Sequence, residues 1–347
     1  MNYIEQNTDY AVKPIEFSKN SSKEILQYAV GGLLYMPANN TKIAAKIISR
    51  EYAFVKSMVL DLEDSLGDEL VGFGMTCIRD TLSTLADAVS SERLHFEDIP
   101  LIFIRVRDFG QMHDIFEQLG ELINLVTGFN IPKFDKYNCD KYIDEFNAVN
   151  TKCSSKLYMM PIIENKSALY QQYRMDNLVY IYDSLKGIAD NVLNMRVGGT
   201  DFCNIIGVRR GIKDTIYDIG AISSVLSDII NVFGRSYVVS GPVWEFFENK
   251  NDKSDKAWEV GLRREIYRDH LNGFIGKTCI HPSQLPIVQQ SLKVSAHDYN
   301  DAVNILGMNK STIGVKGSVQ GNRMNEAKTH GAWAEKIIGL ASVYGGV

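Results

Sequence analysis

Charged residues cluster directly after several short apolar runs of the sequence. Asp61, Glu63 and Asp64 stand at or just after the end of one run. Arg105 and Arg107 stand at the end of the next, two residues apart and so on one face of a strand. A charge at the end of a buried strand is costly unless it is paired or binds a metal, so these residues predict one shared polar site. The alternative interpretation is a ring of salt bridges that only closes the end of a barrel.

Two further carboxylates suggest a metal site. Glu164 and Asp201 each follow an apolar run, the two runs are adjacent in the sequence, and no His or Cys stands beside either residue. Two carboxylates completed by water and substrate oxygens suit octahedral Mg2+, or Mn2+, far better than Zn2+. We therefore predict a Mg2+ site on Glu164 and Asp201, with Mn2+ as the alternative ion.

Cations near this carboxylate pair point to an anionic substrate. A divalent metal together with Arg105 and Lys133 can bind an oxo acid and stabilise an enolate, because metal and cations act on the same oxygens. The predicted reaction is cleavage or formation of a carbon–carbon bond next to a carbonyl. The predicted catalytic residues are Arg105, Asp61, Glu63, Asp64 and Lys133.

Five residues near the predicted strand ends are assigned to substrate binding: Arg107, Tyr35, Pro242, Trp244 and His281. Two of them have a structural alternative. Trp244 can pack against neighbouring side chains instead of a ligand. His281 opens a His-Pro-Ser sequence that can shape a turn and cap a helix. Both alternatives stay open at this stage.

Strand-like and helix-like segments alternate along the chain. Eight apolar runs bounded by Gly, Pro, Asn or Asp predict strands at residues 33–36, 58–62, 101–106, 128–131, 157–163, 193–197, 237–240 and 274–280. Helical spacing of apolar residues occurs at 42–56, 73–91, 112–126, 166–190, 215–233 and 256–272. This alternation predicts an α/β fold, a closed (β/α)8 TIM barrel. A doubly wound sheet is second choice because G-x-G-x-x-G is absent.

The predicted domain organisation is one barrel followed by an arm. Residues 1–285 form the barrel with its lead-in, and residues 286–347 form a C-terminal helical arm or lid that is the expected oligomer contact. Within the arm, 285–306 has helical spacing, 307–321 is a polar connector and 322–344 is a last helix.

Composition excludes several classes of protein. The 347 residues carry a net charge of −5 and no long run of Lys or Arg, which argues against nucleic acid and membrane partners. The five cysteines form no C-x-x-C pair, so reduced thiols and a cytoplasmic location are expected. No signal peptide or membrane-spanning segment is recognised.

The polar strand ends resemble, in order, the motifs of citrate lyase beta-subunit-like proteins, within the aldolase and citrate lyase superfamily of metal-dependent barrels. Seven stretches carry the likeness: Leu34-Tyr35-Met36-Pro37, Asp61-Leu62-Glu63-Asp64-Ser65, Arg105-Val106-Arg107, Pro132-Lys133, Ile163-Glu164, Gly199-Thr200-Asp201-Phe202 and the segment from Gly276 to Gln284. They extend from about residue 33 to about residue 290 and cover most of the chain.

Other stretches resemble a branch of C–C-bond-lyase-like proteins associated with tellurite-resistance gene clusters. These are Ser240-Gly241-Pro242-Val243-Trp244-Glu245, Leu262-Arg263-Arg264-Glu265 and Asn322-Arg323-Met324-Asn325-Glu326. The resemblance implies Mg2+ on Glu164 and Asp201 and an enolate-stabilising role for Arg105. It also implies a homo-oligomer, a trimer or hexamer, in which the C-terminal segment of one subunit covers a neighbour's site.

The sequence departs from the acyl-CoA lyases of the superfamily at two places. An Arg soon after the first-strand proline and an Asp in the lid segment are replaced by residues 38–41 (Ala-Asn-Asn-Thr) and 319–326. Three functions are therefore weighed. The first is a lyase acting on an oxo acid, acyl-CoA or phosphorylated compound. The second is an acyl thioester hydrolase at the same site. The third is a non-catalytic metal- or ligand-binding barrel of a stress-resistance cluster.

Overall fold

Parallel strands curl into a barrel in the computed structural model, which describes residues 10–308 and 314–347. Parts of the predicted lead-in and connector lie outside these residues. Strands β2 to β5 are buried along their whole length, because apolar side chains pack on both faces. The strands are β1 Gly32–Pro37, β2 Ser57–Asp61, β3 Leu101–Arg105, β4 Val126–Ile131, β5 Tyr158–Ile163, β6 Arg196–Val197 and β7 Lys277–Cys279.

Neighbouring strands pair in the order β6-β5-β4-β3-β2-β1-β7. The predicted strand at 237–240 is not a regular strand, but it fills the gap between β6 and β7 through single bridges, Met195–Val239 and Gly241–Lys277. Its backbone hydrogen bonds include Met195 N–H to Val238 O at 2.8 Å and Gly241 N–H to Gly276 O at 3.0 Å. The TIM-barrel prediction is thus confirmed, with the seventh of its eight strands irregular.

Helices follow the strands and cover the outside of the barrel. The predicted helix at 42–56 ends early, and the one at 166–190 is interrupted after Leu169. Three helices, α1, α5 and α8, were not predicted. The helices are α1 Lys23–Ala29, α2 Ile43–Ile48, α3 Val71–Ser90, α4 Gly110–Leu119, α5 Cys139–Asn150, α6 Lys166–Leu169, α7 Gln171–Leu185, α8 Gly199–Ile205, α9 Gly220–Phe233, α10 Ala257–Leu271, α11 Leu285–Ser291, α12 Ala296–Gly307 and α13 Gly331–Tyr344. None of the described helices is long and apolar enough to cross a membrane.

The C-terminal segment packs at the amino-terminal end of the barrel strands. Helix α13 lies against α1, and the Tyr344 hydroxyl donates to the Tyr28 carbonyl oxygen at 3.1 Å. The predicted last helix at 322–344 is wrong in its first half, because β9 Met324–Glu326 pairs antiparallel with β8 Val315–Gly317. The helix therefore begins only at Gly331.

Candidate active site

Arg105 lies at the centre of an acidic cluster at the carboxyl ends of β2 and β3. Asp61 and Arg105 are register partners on these strands. Arg105 Nε and Nη2 donate to the two oxygens of Asp61 at 2.6 and 2.8 Å. Its Nη1 lies 3.0 Å from Glu63 Oε2 and 3.2 Å from Asp64 Oδ2. Burial opposes the charge of Arg105, but Asp61 outweighs this effect and raises the arginine pKa, so the cation is fixed in place.

Lys133 connects this cluster to the next carboxylate. It stands in the turn after β4 with a left-handed backbone, φ 48°. Its Nζ forms ion pairs with Glu63 and, at 3.5 Å, with Asp64. Its backbone N–H donates to Glu164 Oε1 at 2.8 Å. The Asn165 side chain holds the turn by donating to the Lys133 carbonyl oxygen at 2.6 Å.

Glu164 and Asp201 bring two negative charges together in a sheltered position. Glu164 is only 3% exposed. Burial and then the charge of Asp201 raise the pKa of Glu164 to about 8. Burial likewise raises the pKa of Asp201. Arg105 and Lys133 act against these shifts in pKa, but burial and the neighbouring acids outweigh them.

Gly198 leaves room between these two carboxylates. A Cβ atom at this position would overlap Glu164 Oε2 and would lie 3.0 Å from Asp201 Oδ2. In the described part of the chain, no group of three or more His, Cys, Asp or Glu residues is arranged to hold a metal. Two carboxylates, with the remaining positions left to water or substrate, nevertheless fit Mg2+, which normally keeps several waters.

A cavity of about 130 Å³ opens beside this pair. Five of the predicted site residues line it: Tyr35, Asp64, Arg105, Glu164 and Asp201. Asp61, Glu63 and Lys133 join them through the ion pairs described above. The remaining lining residues are Ile162, Arg196, Val197, Gly198, Thr200, Val243, Thr278 and Ile280. The structure thus brings eight of the twelve predicted residues to one place.

Arg107 points away from this cavity. Its Nη2 pairs with Asp68, and its backbone N–H donates to Gln111 Oε1 at 2.8 Å. The prediction placed Arg107 on the same face as Arg105 because the two are two residues apart. That alternation stops at Arg105, where β3 ends. Arg107 does not line the cavity, so its predicted substrate contact is not found.

Three other predicted substrate contacts support the loops instead. Trp244 is fully buried and donates its indole N–H to the Trp258 carbonyl oxygen at 3.0 Å, so it is a core residue. Pro242 is buried against Gly199. His281 caps the turn that follows it, accepting from Ser283 N–H at 3.2 Å. The structure thus shows the packing contact of Trp244 and the capping contact of His281, and substrate binding by these residues stays a prediction.

Sequence reasoning missed Arg196, which lines the cavity. Its side chain is 1% exposed, and its Nη2 donates to Thr278 Oγ1 at 2.6 Å. A sequence signal was present, since Arg196 is a charge inside the apolar run 193–197. Asn130 was also missed; its Nδ2 donates to the Tyr35 hydroxyl oxygen at 2.6 Å.

Acidic and basic side chains lie together at the carboxyl ends of the barrel strands. Barrel enzymes have their active sites at that end, so the fold and the site place this protein in the class of barrel enzymes. The family described as C–C bond lyase of the TIM-barrel fold matches residues 24–346. The chain therefore belongs to the C–C bond lyase family. No curated protein matches it in sequence.

Solved structures share the fold. A citrate lyase from Burkholderia xenovorans has a TM-score of 0.63 at 14% identity, covering 90% of this chain and 91% of that one. The protein CitE from Mycobacterium tuberculosis has a TM-score of 0.57 at 19% identity, covering 91% and 99%. RipC from Yersinia pestis has a TM-score of 0.52 at 14% identity, covering 78% and 98%. At such low identity these likenesses concern the fold.

Proposed function

We propose that the protein is a Mg2+-dependent carbon–carbon bond lyase acting on a small anionic carbonyl compound. The observation that carries the proposal is the pair of buried Glu164 and half-buried Asp201, which line one cavity together with the fixed charge of Arg105. Family membership supports the reaction class.

Each residue of the site has a separate task in this proposal. Glu164 and Asp201 hold Mg2+, which when bound acts as a Lewis acid on oxygens that gain negative charge. Arg105 presents a fixed positive charge to the same oxygens. Asp61 orients its guanidinium through two hydrogen bonds, and the backbone N–H of Lys133 orients Glu164.

The ligands of a structural neighbour are consistent with this proposal. The M. tuberculosis CitE structure with a TM-score of 0.57 was solved in complex with magnesium, acetoacetate and coenzyme A. Small carbonyl acids are therefore the first compounds to test on this chain. A homo-oligomer, a cytoplasmic location, the use of Mn2+ and an association with tellurite resistance stay predictions from the sequence.

Calorimetric titration with Mg2+ tests the metal site. We expect the Glu164→Gln and Asp201→Asn variants to lose measurable binding, because each removes one of only two charged ligands. Glu259→Gln is the matched control, since Glu259 does not line the cavity and pairs with Arg263 within α10. Wild-type Mg2+ affinity in both site variants would refute the metal assignment.

Turnover assays separate the lyase from its two alternatives. The purified protein is incubated with acyl-CoAs, oxo acids and phosphorylated sugars, and the products are identified by mass spectrometry. A lyase yields two carbon fragments from one carbonyl substrate. Thioester cleavage without an oxo-acid product indicates the hydrolase, and binding without conversion indicates the non-catalytic barrel.

A further inference from the structure

Arg196 carries a buried charge without an acidic partner. No carboxylate among the described residues forms an ion pair with it, although its side chain is only 1% exposed. Its contacts are with neutral side chains: Thr278 Oγ1 at 2.6 Å, Asn194 Oδ1 at 3.5 Å, and Tyr35. Its Nε is buried and has no hydrogen-bond partner. Burying a cation without a partner lowers the free energy of unfolding. The position of Arg196 therefore lacks a hydrogen-bond acceptor that a bound ligand could supply.

The other cation that lines the cavity already has acidic partners. Arg105 contacts three carboxylates, Asp61, Glu63 and Asp64, within 3.2 Å. These contacts hold its guanidinium in place for the reacting oxygens. Arg196, by contrast, lines the cavity without an ion pair to any described carboxylate.

Its place in the barrel puts Arg196 below the predicted metal site. It pairs in register with Ile162 of β5, two residues before Glu164, and it precedes Gly198 by two residues. Arg196, Glu164 and Asp201 line the same cavity. A short molecule can thus reach both the carboxylate pair and the guanidinium.

We propose that Arg196 binds a second carboxylate of the substrate, so that the preferred substrates are short dicarboxylic oxo acids. This inference rests on the proposed lyase function, and it assigns to Arg196 the anion recognition that the sequence had placed on Arg107. A cavity of about 130 Å³ admits such an acid. The guanidinium of Arg196 can supply a charge-assisted hydrogen bond, and such bonds are among the stronger ones in proteins.

The experiment compares oxaloacetate with pyruvate, which lacks the second carboxylate. Binding of each is measured by calorimetry at saturating Mg2+. We expect the wild type to bind oxaloacetate about tenfold or more tightly than pyruvate, as one charge-assisted hydrogen bond allows. Arg196→Gln should abolish this preference and leave pyruvate binding unchanged, and Arg196→Lys should restore part of it. Arg263→Gln, on the exposed surface, is the control.

A thermal melt distinguishes a binding role from a structural one. If Arg196 is retained for its ligand, Arg196→Met removes an unpaired buried charge and keeps or raises the melting temperature while abolishing the preference. A lowered melting temperature with an unchanged preference in the soluble variants overturns the inference. Tighter binding of phosphonopyruvate than of oxaloacetate overturns it in favour of a phosphoryl group.

The metal variant keeps this test separate from that of the proposed function. Loss of Mg2+ binding in Glu164→Gln, with an unchanged preference in Arg196→Gln, refutes only the role of Arg196. Normal Mg2+ binding in Glu164→Gln, with the preference abolished in Arg196→Gln, refutes only the metal assignment.

Discussion

Gly198 is the residue on which the spacing of the two predicted metal ligands depends. Glu164 follows β5 and Asp201 lies in α8, and the backbone at Gly198 passes between their side chains. The absence of a side chain there lets both carboxylates face one point. A methyl group would compete with a bound cation for this space.

Gly198→Ala should therefore weaken Mg2+ binding by about 10- to 100-fold, the effect typical of changes beside metal ligands. The affinity is measured by calorimetry. Gly72→Ala is the control, since Gly72 is exposed in α3 and nothing lies within 4 Å of its added methyl group. Equal Mg2+ affinities in Gly198→Ala and Gly72→Ala would contradict this account of the site.

The sequence predicted the positions of the acidic site residues better than the positions of the other site residues. Asp61, Glu164 and Asp201 lie together at the strand ends, as their positions at the ends of apolar runs predict. Arg107 lies outside the cavity because the two-residue alternation ends with the strand. Trp244 lies in the core because a loop residue can return there through contacts that are distant in sequence.

At the scale of elements, α10 and β7 are joined by buried ion pairs. Lys277 of β7 is 1% exposed; its Nζ lies 2.9 Å from Glu265 Oε1 and 2.7 Å from Asp269 Oδ2, both on α10. Arg210 pairs with the same Glu265 at 2.5 Å. The lysine of the Gly-Lys-Thr-Cys-Ile-His-Pro segment therefore has a structural role in joining helix to strand.

Lys277→Met should destabilise the fold by about 3–5 kcal/mol, because it leaves Asp269 and part of Glu265 as buried charges without a cation. Urea unfolding followed by circular dichroism measures the change. The exposed pair Lys186–Asp183 supplies the control, and Lys186→Met should cost less than about 1 kcal/mol. Equal losses in both variants would show that burial does not decide the effect.

Helices were predicted where the helical spacing of apolar residues continues over several turns, and they were missed where that spacing is short or interrupted. Helices α3, α9 and α10 were predicted close to their observed ends because each has three or more turns with a buried stripe. Helix α5 buries Cys139, Tyr142, Phe146 and Val149, a helical spacing that was present but diluted by polar residues. The irregular seventh strand depends on two neighbours far away in the chain, so local sequence could not define it.

At the scale of the whole molecule, the C-terminal arm lies far from the site of its own subunit. Helices α12 and α13 pack together, and α13 packs on α1 at the other end of the barrel. No described residue after Ile280 lines the site cavity. A lid role of the arm, over its own site or a neighbour's, stays a prediction.

The junction of barrel and arm should make the molecule acid-sensitive through His270. This half-buried residue of α10 lines a cavity of about 240 Å³ together with Lys336 and Trp333 of the arm. Burial, and then the charges of Lys336 and Lys277, lower the pKa of His270 to about 4. The unfolded chain, with an ordinary histidine pKa near 6.5, thus binds more protons than the folded chain between pH 6.5 and 4. Stability should fall as the pH falls through this range, by on the order of 1–3 kcal/mol from this residue.

Urea unfolding is measured for the wild type and for His270→Asn at several pH values between 7.5 and 4. The comparison isolates the contribution of His270 to stability, because other acidic groups act equally on both proteins. We expect the wild type to lose its stability more steeply, so that the difference between the two free energies of unfolding changes with pH below 6.5. His95→Asn is the control for the substitution itself, since His95 is an exposed histidine outside the cavity at the junction. Parallel curves for wild type and His270→Asn would mean that His270 charges as readily in the folded protein as in the unfolded chain. A steeper wild-type curve would place acid-induced loosening at the contact between the barrel and its C-terminal arm.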